Sequence, residues 1–166
     1  MLETVRCYAE SLLTDGESHV AHERALRYVV DVAIAVDREA RGPRQSEWLD
    51  RADEELDNIR ALLRWSHDHD EADSAATIAA SLMPFWLRRG LLTEGQRWLD
   101  LSLKERKRLS QTAFAITLHA AGRVARQRGD ITLAEQCLRE SIGVYERLGD
   151  DVGRARSLGG GRVRPG

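Results

Sequence analysis

The residues that could carry chemistry are few, and each has a plainer reading. His19-x-x-His22-Glu23 sets two imidazoles on one helical face, close to metal-ligand spacing. A working site needs a third ligand and groups that orient the first two, so this run reads as polar residues near a helix start. His67-Asp68-His69 closes a helix, where an imidazole can meet the exposed carbonyls and the negative end of the dipole. Lys104-Glu105-Arg106-Lys107-Arg108, with Arg123, Arg126 and Arg128, could gather phosphates. No aromatic stacking set or DNA-reading motif accompanies them, so a solvated charge run at a helix end is the simpler account. Lys104 and Lys107 are the only lysines and neither follows a glycine, so the phosphate-binding Gly-x-x-x-x-Gly-Lys-Ser/Thr loop is missing. Cys7 and Cys137, the only cysteines, lie far apart and read as reduced packing thiols. No serine, cysteine or carboxylate pair sits in a catalytic motif. The sequence assigns no catalytic residue, metal ligand or cofactor, and the chain is expected not to be an enzyme.

Composition narrows the class. The chain has 166 residues, 42% hydrophobic and 31% charged, with three prolines, which suits a helical domain with a real core and argues against disorder. No apolar run is long enough to span a bilayer, and no basic-then-apolar export signal opens the chain, so a cytoplasmic location is expected. The net charge of −2 hides an asymmetry: residues 1–82 carry −9 and residues 83–166 carry +7. Either the second half meets an acidic partner, or the halves neutralise neighbouring parts of a larger protein.

The elements that must position these residues follow from period and punctuation. Apolar spacing predicts helices over 2–14, closed by Asp15-Gly16, and over 17–41, closed by Gly42-Pro43. Further helices are expected over 46–67 and from Ala72 to about Gly90, the latter kinked between Ala80 and Phe85 by Pro84. The organising signal comes next. Gly90, Leu92, Thr93, Gln96, Leu99 and Ser102 recur as Gly129, Ile131, Thr132, Glu135, Leu138 and Ser141, each 39 residues later. A helix ends at glycine, the chain turns, and a new helix packs a small-and-leucine face on the one before; this is a repeat signature. Thr93-x-x-Gln96 and Thr132-x-x-Glu135 have the form of capping boxes, and Ser110 is placed to cap the helix between them. Another helix should begin near Asp151. Gly122-Arg123-Val124 returns as Gly161-Arg162-Val163, but there the third copy meets Gly159-Gly160-Gly161 and Pro165-Gly166, which oppose helix.

Helix, glycine-ended turn, helix, with Ala121-Gly122, Gly129, Ala134 and Leu138, resembles the tetratricopeptide repeat, as do Leu82, Trp86, Gly90, Gly95 and Leu99 in the earlier copy. The spacing exceeds the standard 34 residues, and the late proline of that repeat is absent. Leu2-Glu3-Thr4-Val5-Arg6-Cys7-Tyr8-Ala9 is similar to the closing helix of a winged-helix-like module, with Cys7 where glutamate is usual. Residues 56–65, Phe85-Trp86-Leu87-Arg88-Arg89-Gly90 and Glu94-Gly95-Gln96-Arg97-Trp98-Leu99 resemble successive landmarks of a helical-repeat arm. Together they resemble the LuxR-type, MalT-like bacterial regulators with an NB-ARC-like ATPase core.

The expected fold is therefore all-α, a tetratricopeptide-like superhelix of antiparallel pairs, about seven to eight helices. Residues 1–15 would end the winged-helix-like module, 16–157 form the repeats, and 158–166 a frayed or truncated tail. The resemblance implies a non-catalytic arm that senses an effector or a protein and regulates an ATPase core held elsewhere in a parent protein. In such a stack the first helix of each pair lines the concave side, which by resemblance would carry Thr77 and Arg88 in one copy and His119, Arg123, Arg126 and Gln127 in the next. That cationic face suggests an acidic protein or peptide, or a small anionic effector, with no membrane partner. Two other readings stand beside it: a basic groove for nucleic acid, against which the missing motifs argue, and a truncated remnant without independent function.

Overall fold

A computed structural model of the chain describes residues 15–160, and within them it is all helical, without strands. The elements are α1 (Asp15–Arg38), α2 (Gln45–Glu54), α3 (Leu56–Asp68), α4 (Ala72–Ser81), α5 (Met83–Arg88), α6 (Leu92–Lys104), a 3-10 turn (Arg106–Arg108), α7 (Gln111–Gln127), α8 (Ile131–Leu148) and α9 (Asp151–Gly160). The expected winged-helix-like segment and residues 161–166 lie outside the described residues, apart from Asp15, which with Gly16 belongs to α1.

Among the described residues nine helices stand, where seven to eight were expected over the whole chain, because two long ones are interrupted. Pro84 cannot donate a backbone hydrogen bond, so the helix from Ala72 stops at Leu82 and α5 restarts with proline in its first turn. The Trp86 indole N–H donates to the Ala79 carbonyl at 3.0 Å, satisfying a group beside the break. The second interruption, at Glu55, has no glycine or proline to announce it.

The capping expectations divide. Ser110 caps α7, its hydroxyl accepting from the Ala113 N–H at 3.2 Å. Neither threonine caps its helix. At α8 the N-cap is Asp130, whose carboxylate accepts from Leu133 N–H at 3.0 Å; at α6 it is Leu91, with no side-chain bond. The preceding glycines turn so sharply (φ +71° at Gly90, +85° at Gly129) that each helix begins before its threonine. Such left-handed backbone suits glycine alone at little cost. At the third joint, Gly149 repeats the turn (φ +68°), and α9 then runs through Gly159 to Gly160.

The 39-residue period becomes a ladder of contacts between neighbouring pairs. Arg89 Nη2 donates to Asp50 at 2.6 Å, and Arg108 Nη2 to Asp70 at 3.1 Å. His67 Nδ1 lies 3.0 Å from Glu105, Asp73 accepts from the Ser110 N–H at 2.8 Å, and His119 Nδ1 lies 3.1 Å from Ser157 Oγ. Residues one repeat apart face each other because each pair is stacked on the last in the same register. A Cβ on Gly122 would fall 2.8 Å from Leu138 Cγ, so α7 and α8 approach as closely as they do only because that position is bare.

Two rows result. Helices α1, α4, α7 and α9 follow one another on one side, with α3, α6 and α8 packed outside them. At roughly 8–10 Å between neighbouring axes, a straight row would hold α1 and α9 far apart. Yet Arg156 on α9 reaches Asp37 on α1 at 3.3 Å, across 119 residues. The row curls inward, and the α1–α4–α7–α9 side is its concave face.

Candidate functional site

The inner face is where the curl brings separate elements together. Asp37 from α1, Ala80 and Ser81 from α4, Met83 from α5, Ile116 and His119 from α7, Tyr145 from α8 and Arg156 from α9 line a small cavity of about 50 Å³. Tyr145 is buried, and burial pushes its phenol up to about 12.

His119 is the most constrained of the residues singled out by the sequence. It is 6% exposed, covered by α9, with Nδ1 against Ser157 Oγ. Ser157 in turn lies 3.2 Å from Ser141 Oγ, which donates to the Ala115 carbonyl at 2.9 Å. His119 Nε2 is buried without a partner among the described residues. Burial, and then the charges of Arg123 and Arg156, lower its pKa to about 4, so the ring is neutral at ordinary pH.

One turn further along α7, Arg123 is half-buried. Its pKa is lowered first by burial and then by repulsion from Arg41, beyond the end of α1, and from Arg126. No hydrogen bond or ion pair to a carboxylate compensates it among the described residues. Other arginines in the fold are matched: Arg60 with Glu94, Arg89 with Asp50 and Asp53, Arg108 with Glu105 and Asp70. Arg126 and Gln127 are exposed nearby on the same helix, while Thr77 is half-buried on α4 and Arg88 exposed at the end of α5. The fold thus gathers His119, Arg123 and Arg126 with Arg41 and Arg156. No hydrogen bond or ion pair among the described residues joins Thr77 or Arg88 to them. The sequence did not bring in Arg41 or Arg156, because a turn residue and a residue near the chain's end acquire a place here only through the curl.

The other candidates resolve individually. His22 (5.1 Å, 9°) and His69 (4.3 Å, 15°) both stack on Trp65, while His19 pairs with Glu23 at 3.3 Å. His69 Nδ1 meets the Trp65 carbonyl at 2.9 Å, as expected for an imidazole closing a helix. No group of three or more His, Cys, Asp or Glu among the described residues has metal-holding geometry. The buried Cys137 thiol is pushed up to about 11 by burial and then by Asp100 and Glu140; as a protonated thiol it is a packing group and a poor nucleophile. Cys7 lies outside the described residues. Among those residues, no helix is long and apolar enough to cross a membrane.

The chain is similar to proteins named as HTH-type transcriptional regulators in Mycobacterium bovis and in two strains of Mycobacterium tuberculosis. Each is 33% identical over 120 residues, which is 72% of this chain and 13% of the relative. The chain thus corresponds to a small part of the length of the curated relatives it matches. No family model matches it, and no solved structure does.

Proposed function

We propose that this chain is a non-catalytic, cytoplasmic sensing arm of a bacterial transcriptional regulator, and that its inner face takes a small dianion. The similarity to a segment of HTH-type regulators supports the regulatory setting. The stacked pairs support the arm, since a curled row of helices offers a concave surface. In the parent protein such an arm would report to an ATPase core and a separate DNA-binding module.

The observation that carries the reading is Arg123. A half-buried guanidinium repelled by two other arginines is poorly compensated without a ligand, and a charge held at such a cost on a concave surface is a candidate anion site. A carboxylate or phosphate dianion would relieve it with paired N–H···O bonds. The small cavity beside His119 and the α1–α9 contact favour a small effector over a protein segment at this face. Calorimetric titration with succinate and with inorganic phosphate tests it and separates the two chemistries. Binding of either should disappear in the Arg123→Glu, Arg126→Glu double variant while circular dichroism stays unchanged; binding that survives the substitutions removes the proposal.

A further inference from the structure

The outer face carries a second, larger groove. It runs along α6, about 680 Å³ in volume, and four cations enter it from three places: Arg64 on α3, Arg97 and Lys104 on α6, and Arg128 at the C-terminal cap of α7. Its one carboxylate is Asp100, which already accepts from Gln96 Nε2 at 2.7 Å. Arg64, Lys104 and Arg128 make no ion pair among the described residues. Arg97 is held over the Trp98 indole at 4.7 Å, and half-buried Leu101 adds an apolar floor. Gln96 is 3% exposed. Because its amide nitrogen must face the carboxylate, its Oε1 is left buried without a partner among the described residues. A buried acceptor without a partner is costly to the fold.

We propose that this groove is a docking site for an acidic peptide segment of a partner protein, independent of the inner face. The cations match carboxylates, and Leu101 gives an aliphatic side chain a place to rest. Nucleic acid fits less well. Trp98 is buried, with Arg97 lying over its ring, so no aromatic face is open for a base to stack on. The volume is that of a pocket able to take a few side chains.

The test uses the whole chain and a fluorescein-labelled peptide of glutamate, aspartate and leucine, followed by anisotropy. Binding should weaken about tenfold or more in Arg97→Glu with Lys104→Glu, and about as much in the milder Arg64→Gln with Arg128→Gln. It should persist in Arg123→Glu with Arg126→Glu, which alters only the inner face. Circular dichroism should match wild type in the two groove variants, since the substituted side chains are exposed, and is recorded for the inner-face variant as well. No binding to wild type, loss only in the inner-face variant, or duplex DNA displacing the peptide from the groove would each overturn the proposal.

Discussion

Arg60 and Glu94, 34 residues apart, are joined by two parallel hydrogen bonds, Nε and Nη2 each donating to a carboxylate oxygen at 2.7 Å. The pair clamps α3 to α6, and those hydrogen bonds hold the Glu94 carboxyl below the ordinary carboxylate range while raising the Arg60 guanidinium. The stabilisation is therefore full above the unfolded carboxylate pKa and is lost as pH falls through the folded one. A double-mutant cycle with Arg60→Met and Glu94→Gln should give a coupling of about 1 kcal/mol at neutral pH. The coupling should vanish in acid. Chemical denaturation at several pH values measures it.

His119 gives a pH dependence of its own. Its folded pKa, about 4, lies below the ordinary value of 6.5, so between those limits the unfolded chain binds a proton that the folded one resists. Above pH 6.5 the residue is neutral in both states and contributes no slope. As pH falls toward 4, wild-type stability should drop by an amount on the order of a few kcal/mol. His119→Gln should flatten that part of the profile, with Arg123 and Arg156 as the facing charges. A variant profile parallel to wild type would show that the ring titrates normally.

Helix capping separates two sites that look alike in sequence. Ser110→Ala removes a hydroxyl that accepts from Ala113 N–H and should cost about 1 kcal/mol. Thr93 lies inside α6, after an N-cap at Leu91, so Thr93→Ala should change stability by less than about 0.5 kcal/mol. Thermal melts of the two variants side by side decide it.

These contrasts show which features local sequence can carry. The glycine-ended turns and the 39-residue register are readable because both recur, and in the structure the same step separates Asp50 from its partner Arg89. The break near Pro84 was readable because a missing N–H is a property of one residue. The α8 cap was misassigned because Thr132 and Asp130 offer the same chemistry two residues apart, and the left-handed turn at Gly129 selects the earlier one. Nothing local marks Glu55 as a break. In the site, Arg123 and Arg126 were readable as cations on one helix. The burial of His119 depends on where α9 lands, and the repulsion from Arg41 depends on where the turn after α1 comes to lie relative to Arg123.

The central claim is that Arg123 is held at a cost to the empty protein for the sake of a bound anion. Replacing Arg123 with methionine keeps most of the side chain's length and removes the charge. The account predicts that Arg123→Met melts at a higher temperature than wild type, because a half-buried, repelled guanidinium is gone. It also predicts that inorganic phosphate or succinate raises the wild-type Tm and leaves the variant's unchanged. A variant that melts lower than wild type, or that is stabilised by the anions to the same extent, would contradict it.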